Sequence, residues 1–306
     1  MIIPKNKIQE IELELTGTCN LECPLCTRNY LHAKHQKIKN IRTLETIINQ
    51  LNEYPSLKHI NIAGTVSEPT LYKDIIKLTE YLISRNIEID FYSNASKLDL
   101  ELWEKLGKLL NKNKHKLIFT VCGNTEELHQ KYRKGSSLKN ILENLKAFQK
   151  NSKRDFGQYI VFEYNEEDSK NPTILNNFNN SFIIGSEGKR LLNEYQKEVE
   201  SGITPLKGRA RIIDSIFKFG EYKYQKKTKS TIDCISYNQK RIYIDQFGKE
   251  YACYSQAEFY KDSTNTFVSD NSFNFTKIKN FNYKDCLKCE QQSRKMIQDN
   301  KLGFIF

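Results

Sequence analysis

The amino-acid sequence predicts an α/β fold in which six parallel strands alternate with helices in a partly open barrel. Short segments of alternating apolar residues take turns with longer segments of helical apolar periodicity across roughly the first 185 residues. A polar or glycine-containing turn follows each predicted strand. Strands separated by helices pair in parallel, and six such units are too few for a closed eight-stranded barrel. We therefore predict a partial (β/α)6 barrel.

The first predicted strand runs from Ile8 to Leu15, where apolar residues alternate with Glu10, Glu12 and Glu14. This alternation is typical of a strand that buries one face. The later strands are predicted at residues 59–63, 87–92, 117–121, 158–164 and 181–185. The helices are predicted to begin near residues 43, 71, 99, 126 and 138. Because the carboxyl ends of parallel strands meet at one edge of a sheet, we expect ligands to bind at the turns that follow the strands.

The regular alternation ends after the sixth strand, and residues 187–229 are polar and rich in lysine. We predict a barrel core at residues 1–186, a connector at 187–232 and a small cysteine-rich domain at 233–306. In this last region, the segment from Arg241 to Cys253 predicts a β-hairpin with Gly248 in its turn.

The composition bounds the class of protein. The chain has 306 residues and no run of eighteen apolar residues, and its first residues lack the apolar core of a signal peptide. We therefore expect a cytoplasmic protein that does not span a membrane. The formal net charge of +11 is compatible with a nucleic-acid or acidic partner. No arginine-rich run is present, and for that reason nucleic acid is not the favoured partner.

Three cysteines follow the first predicted strand: Cys19, Cys23 and Cys26, with three and two residues between them. Three thiolates on one loop can bind three irons of a [4Fe-4S] cluster and leave the fourth iron without a protein ligand. A structural zinc ion normally takes four ligands, and His32 and His35 could complete such a set. The cluster is favoured because the loop follows the first strand of a parallel α/β pattern.

A second group of four cysteines lies near the carboxyl end of the chain: Cys234, Cys253, Cys286 and Cys289. Four thiolates can close either a zinc site or an iron–sulfur site. These two groups leave Cys122, which is predicted at the end of the fourth strand. It is either a small buried thiol or a reactive one on the ligand-binding edge.

The Cys-x3-Cys-x2-Cys sequence resembles the signature of radical SAM enzymes, and the resemblance covers about Ile8 to Gly185. It implies a [4Fe-4S] cluster that binds S-adenosylmethionine (SAM) and receives an electron from a donor such as flavodoxin or ferredoxin. SAM is then cleaved to methionine and a 5′-deoxyadenosyl radical, which abstracts a hydrogen atom from the substrate. Leu25 stands where many members of the family have an aromatic residue before the third cysteine.

Two turns resemble SAM-binding turns of the family. The segment from Gly64 to Pro69 is similar to the Gly-Gly-Glu-Pro turn, which implies that Gly64 and Glu68 bind SAM, with the Glu68 carboxylate near its amino group. Ser93 and Asn94 stand where many relatives have Thr-Asn-Gly, which implies contact with SAM, and the ribose hydroxyls are a suitable target. The alternatives are an ordinary surface loop and a plain Asx-type turn.

Residues 120–123 and 128–137 resemble a stretch found in the SPASM and twitch subgroup of the family. The resemblance implies that Arg133 binds the SAM carboxylate, with a surface salt bridge as the alternative. His129 is predicted to be a histidine on the helix surface. Glu163 and Asn165 are predicted at the end of the fifth strand, where either could contact SAM or substrate.

The hairpin followed by Cys253 resembles the start of a SPASM or twitch domain. Four cysteines suit the single-cluster twitch form, which implies an auxiliary [4Fe-4S] cluster, and zinc remains the alternative. Some radical SAM epimerases return a hydrogen atom from a cysteine, and Cys122 is the candidate here. The resemblance implies oxidation, cross-linking or epimerisation of a peptide or sugar-type substrate. The alternative is a non-catalytic iron–sulfur or zinc-binding regulatory protein that could bind nucleic acid.

Overall fold

The computed structural model describes residues 2–24, 26, 28, 42–64, 66–112, 114–185, 239–251, 268–269 and 272–274. The predicted connector, Leu25, His32 and His35 lie outside the described residues, as do Cys234, Cys253, Cys286 and Cys289. The domain boundaries therefore stay a prediction. Within the part of the chain that is described, no helix has the length and apolar character needed to cross a bilayer.

The predicted α/β architecture is confirmed. The strands are β1 Ile2–Pro4, β2 Glu10–Leu13, β3 His59–Ile62, β4 Glu88–Ser93, β5 Lys116–Val121, β6 Asp155–Val161, β7 Asn180–Gly185, β8 Arg241–Ile244, β9 Glu250–Tyr251, β10 Val268–Ser269 and β11 Ser272–Asn274. The helices are α1 Leu44–Asn52, α2 Ile75–Ser84, α3 Leu100–Leu109, α4 Glu126–Tyr132 and α5 Leu138–Gln149. The main sheet is open, with strand order β7-β6-β5-β4-β3-β2-β8-β9.

Strands β2 to β7 lie side by side in chain order and all pair in parallel. Strand β8 extends this sheet on the other side of β2, also in parallel, and β9 returns antiparallel to β8. Strands β1, β11 and β10 form a separate antiparallel sheet. The carboxyl ends of β2 to β6 therefore lie along one edge, as the alternation of strands and helices predicts.

Four of the five helices begin where a short polar side chain accepts a hydrogen bond from a backbone N–H group. Thr43, Asp99, Thr125 and Ser137 each cap a helix by accepting from the N–H of the residue three positions later. The apolar faces of these helices pack on one face of the sheet, where Phe119 contacts the rings of Trp103 and Phe148 in the core.

The two faces of the sheet differ in chemistry because successive side chains of a strand alternate between faces. Ile11, Ile60 and Phe91 are fully buried on the face that the helices cover. The opposite face carries the glutamates of β2, and Glu14 at the end of this row has no exposed surface. Glu14 accepts hydrogen bonds from Ser67 and from the hydroxyl of Tyr243 at 3.3 Å.

Three predicted elements differ from the structure. The helix predicted to begin near residue 71 begins at Ile75, after a 3-10 helix at Pro69–Leu71. Strand β6 ends at Val161, three residues before the predicted end, because the chain turns into a 3-10 helix at Glu163–Asn165. The predicted hairpin forms, with Gly248 at a φ of +81°, but its first strand is part of the main sheet. Its turn is stabilised by the Asp245 side chain, which accepts from the N–H groups of Phe247 and Lys249 at 2.9 Å.

Candidate active site

The residues that the sequence predicts as ligands meet at the carboxyl edge of the sheet. The cysteine loop follows β2, the turn with Glu68 follows β3, Ser93 and Asn94 end β4, and Cys122 follows β5. Hydrogen bonds join these turns directly: Asn94 Nδ2 donates to Asn20 Oδ1 at 3.1 Å, and the Glu68 N–H donates to the Thr18 carbonyl at 2.8 Å. The cysteine loop is therefore fixed to the neighbouring turns.

Arg28 anchors the cysteine loop and was not predicted as a site residue. Its guanidinium donates to the carbonyl oxygens of Gly17 and of Val66, the latter at 3.0 Å. It thereby joins the end of β2 to the turn after β3. On the other side, the Glu22 N–H donates to the Lys134 carbonyl at 3.0 Å. In the sequence, the feature from which this anchor could be predicted is a basic residue two positions after the third cysteine.

Cys19, Cys23 and Cys26 carry their thiols on this loop and are partly exposed. Cys19 Sγ accepts from the Leu21 N–H at 3.5 Å and from Asn94 Nδ2 at 3.8 Å. Burial raises the pKa of the Cys23 thiol to about 12 and that of the Cys26 thiol to about 11, and the neighbouring thiols add to both shifts. Bound metal supplies the positive charge that keeps such thiols deprotonated.

This donor set fits the cluster that the sequence predicts. Three thiols lie on one anchored loop, N–H groups point at the first sulfur, and the charges of Arg28 and Arg133 act on the thiols. Three thiolates with such N–H bonds suit a [4Fe-4S] cluster that keeps one iron open.

Glu68 is a carboxylate of the site that accepts several hydrogen bonds. It is 2 % exposed, and it accepts from Ser93 Oγ at 2.6 Å, from the Asn94 N–H at 2.7 Å and from Thr70 Oγ1 at 2.7 Å. Burial raises its pKa, and these hydrogen bonds oppose the shift. The carboxylate therefore holds the turn after β3 against the end of β4.

Gly64 is required by the shape of the same turn. A Cβ atom at this position would lie 2.0 Å from the Ser67 carbonyl oxygen, which is a backbone atom and cannot move aside cheaply. The residue thus allows the tight path that leads to Glu68.

Ser93 and Asn94 are buried, and both side chains take part in the turn itself. Ser93 Oγ accepts from the Ala95 N–H at 2.8 Å, and Asn94 Oδ1 accepts from the Ser96 N–H at 2.9 Å. Together with their bonds to Glu68 and Asn20, these contacts give the end of β4 a fixed conformation.

Cys122 has no exposed surface and packs against Phe162 and Tyr132. Its N–H donates to His129 Nδ1 at 3.2 Å, and its carbonyl accepts from Asn165 Nδ2 at 2.8 Å. The backbone of Cys122 is therefore held from both sides.

The prediction that His129 lies on the helix surface is wrong, because this side chain is fully buried. Gly123 lets α4 approach closely, since a Cβ atom at this position would lie 2.6 Å from the backbone nitrogen of His129. His129 Nε2 lies 2.8 Å from Ser136 Oγ, and with Nδ1 accepting from Cys122 the ring is the neutral Nε2–H form. Burial, together with the nearby charge of Arg133, lowers the pKa of His129 to about 3.

Arg133 lies between Cys122 and the cysteine loop. Its guanidinium hydrogen-bonds the Cys122 thiol, and it interacts electrostatically with Cys23. Burial lowers the pKa of Arg133, but interactions with the sulfurs of Cys122 and Cys23 outweigh this and raise it. Its Nε is buried without a hydrogen-bond partner, so a donor is left for an anionic group.

Glu163 and Asn165 lie in the 3-10 helix after β6. Asn165 Oδ1 accepts from the Phe162 N–H at 2.6 Å, and its Nδ2 donates to the carbonyls of Cys122 and Ile160. The Asn165 amide thus joins the end of β5 to the end of β6.

Comparison with known proteins gives the fold and the family. The structure of Streptococcus suis SuiB bound to precursor peptide SuiA is similar, with a TM-score of 0.51 and 14% identity over 87% of this chain and 64% of that chain. The structure of anSMEcpe with bound AdoMet and Cp18Cys peptide matches with a TM-score of 0.44 and 18% identity over 63% of this chain and 59% of that chain. The chain thus spans less than two thirds of either protein. No curated protein matches its sequence. The family model of the radical SAM superfamily matches residues 13–171, more than half of the chain, and the chain therefore belongs to the radical SAM superfamily.

Proposed function

We propose that this protein is a cytoplasmic radical SAM enzyme that acts on a peptide or a sugar-type substrate by oxidation, cross-linking or epimerisation. When bound, the cluster and SAM supply reductive cleavage to methionine and a 5′-deoxyadenosyl radical that removes a hydrogen atom from the substrate. A donor of the flavodoxin or ferredoxin class would supply the electron.

In this proposal Cys19, Cys23 and Cys26 hold the cluster. The observation that carries it is the meeting of these three thiols with the buried carboxylate of Glu68 and the half-buried guanidinium of Arg133 at one edge of the sheet. The buried Arg133 Nε without a partner suits the carboxylate of SAM, since guanidinium groups bind carboxylates through several N–H donors.

The other turn residues act through position. Gly64 and Glu68 shape the turn that would face the amino group of SAM, and Ser93 and Asn94 shape the turn proposed for its ribose. Asn165 donates to the Cys122 carbonyl, and Glu163 belongs to the same 3-10 helix; we propose that either of them borders SAM or substrate.

The test uses the full chain, purified and reconstituted without oxygen. We expect broad absorbance near 400 nm, an electron paramagnetic resonance (EPR) signal of a reduced cluster that changes when SAM is added, and 5′-deoxyadenosine from SAM and dithionite. Cys23→Ala should lose the SAM-dependent change and 5′-deoxyadenosine, whereas the surface variant Glu101→Ala should keep both. A colourless protein that contains stoichiometric zinc would contradict the proposal and favour a non-catalytic metal protein.

The auxiliary cluster is proposed on sequence grounds, because Cys234, Cys253, Cys286 and Cys289 lie outside the described residues. Two cubane clusters correspond to about eight irons per chain, and one cluster to about four. The double substitution Cys286→Ala and Cys289→Ala should lower the iron content from about eight to about four while the SAM-dependent EPR change remains. Zinc in place of the missing iron in the wild-type protein would overturn this part.

A peptide is the first substrate class to test, because the similar fold of SuiB was solved with a precursor peptide. Sugar-type substrates form the second class.

Cys122 is proposed as a hydrogen donor in a redox-neutral reaction. A substrate carbon radical would take the hydrogen of the Cys122 S–H bond, and the sulfur radical would regain an electron from the reduced donor and a proton from solvent. The thiol is buried beneath Phe162 and Tyr132, so this role requires the substrate to displace these rings. In deuterated water the product should carry one deuterium, and Cys122→Ala should stop product formation but not SAM cleavage. Full turnover of Cys122→Ala to the same product would exclude this role.

A further inference from the structure

A charged cluster lies at the amino ends of the strands, at the opposite edge of the sheet from the cysteines. Glu10, His59 and Glu88 begin β2, β3 and β4 and are aligned in register. Asp90 is two residues after Glu88 and therefore points to the same face. The site proposed for SAM uses none of these residues.

Three of these side chains are arranged as metal ligands. One ligand atom each from His59, Glu88 and Asp90 lies within 4.8 Å of the other two. Ligand atoms bound to one tetrahedral zinc-type ion at about 2.1 Å are about 3.4 Å apart. Small side-chain rotations would therefore close the three ligands on one ion.

The histidine is oriented by a carboxylate, as metal-bound imidazoles usually are. His59 Nδ1 lies 3.3 Å from Glu10 Oε1, and its Nε2 faces Asp90 Oδ2 at 3.6 Å. Glu10 is itself held by Arg241 at 2.5 Å. Nδ1–H can thus donate to Glu10 while Nε2 offers its lone pair to an ion.

Two polar atoms of the cluster are buried and lack a partner. Asp90 is 3 % exposed, and its Oδ1 has no hydrogen bond, whereas its Oδ2 is paired with Lys116 Nζ at 3.0 Å. His59 Nε2 also has no hydrogen bond. A buried carboxylate oxygen without a donor is unfavourable, and a cation at this point would satisfy both atoms.

The charge balance points to a divalent ion. Among the described residues, the carboxylates of Glu10, Glu12, Glu88 and Asp90 lie at this end of the sheet, where Arg241 pairs with Glu10 and Lys116 pairs with Asp90. With a neutral imidazole, the two proposed carboxylate ligands bring two negative charges, which match the charge of a divalent ion. A proton on His59 is the competing occupant, because the nearby carboxylates of Asp90 and Glu10 outweigh the effect of burial and raise the pKa of His59 to about 9.

We propose that His59, Glu88 and Asp90 bind one divalent metal ion at the amino end of the barrel. One imidazole and two carboxylates suit Mn²⁺, Fe²⁺ or Zn²⁺. The ligands come from adjacent strands, so the bound ion would join β3 to β4.

Mn²⁺ is the probe, because it prefers carboxylates and avoids the thiols that would capture zinc. The cluster-loaded, oxidised full chain is titrated with Mn²⁺, and free Mn²⁺ is measured from its six-line EPR signal. We expect one bound ion per chain and a rise in Tm as the site fills. Glu88→Gln should weaken binding at least tenfold, and the control Glu101→Gln should leave it unchanged.

Two further variants keep the outcome clear. His59→Gln replaces Glu88→Gln if circular dichroism shows that the latter fails to fold. Cys23→Ala, which removes a proposed cluster ligand, should keep the Mn²⁺ site, so failure of the proposed function would not remove this one. The proposal is overturned if the wild type binds no Mn²⁺ at millimolar concentration, as expected where a proton alone occupies the site, or if Glu88→Gln and His59→Gln bind it as tightly as the wild type.

Discussion

At the scale of single residues, Glu68 shows how one buried carboxylate organises two turns. Its oxygens accept from the side chain of Ser93, the backbone of Asn94 and both donors of Thr70. A carboxylate is well suited to this place because it has only acceptors and carries the charge that strengthens each bond. The residue that resembles a SAM ligand is therefore also the residue that fixes the shape of the site.

Glu68→Gln tests this double role. The substitution replaces one acceptor oxygen with an NH₂ group that faces N–H and O–H donors, so at least one buried donor loses its partner. We expect a loss of stability of about 1–3 kcal/mol, measured as a lower Tm, and at least tenfold weaker SAM binding, measured from the EPR change of the reduced cluster.

Thr70→Val is the matched control, because it removes the Thr70 Oγ1 donor and leaves the carboxylate intact. If Glu68 acts through the position of the turn, Thr70→Val also weakens SAM binding; if the carboxylate contacts SAM directly, Thr70→Val has little effect. Unchanged Tm and SAM binding in Glu68→Gln would contradict both roles.

At the scale of elements, the sequence predicts most of the sheet. A strand that buries one face has apolar residues at every second position, and this pattern can be found in the sequence. The six predicted parallel strands are found, five of them within two residues at their carboxyl ends. The prediction for strand β6 lies three residues too far along the chain, because apolar alternation continues to Tyr164 in the sequence. The chain turns earlier because the Asn165 side chain replaces the strand partners of Phe162 and Ile160. Periodicity carries no information on such a side-chain bond.

The position of β8 could not be predicted for a different reason. Its alternating residues identify a strand, but pairing with β2 joins segments more than two hundred residues apart, for which local pattern gives no partner. The ion pair between Arg241 and Glu10 at 2.5 Å fixes this register in the structure. In the site, the cysteine spacing was sufficient to identify the loop, whereas Arg28 and the buried state of His129 depend on contacts with other elements.

At the scale of the whole molecule, stability should fall in acid partly because His129 is buried in its neutral form. Its pKa is about 3 in the folded protein and about 6.5 in the unfolded chain. The unfolded state therefore binds a proton as the pH falls through about 6.5 while the folded state does not. The contribution of this group is fully present above pH 6.5 and is lost progressively down to about pH 3.

Between pH 7 and pH 5 this single group should lower the free energy of unfolding by about 2 kcal/mol, or about 4 °C in Tm for a chain of this size. His129→Asn keeps an acceptor near the Cys122 N–H but cannot be protonated. Its Tm should be lower than that of the wild type at pH 7, and the difference should shrink by about 4 °C at pH 5. Groups that titrate in both proteins cancel in this comparison of Tm, measured without oxygen.

An equal Tm difference at the two pH values would show that His129 is protonated in the fold. In that case its Nδ1 could not accept from Cys122, and the backbone of the proposed hydrogen donor would be held by Asn165 without the help of the histidine.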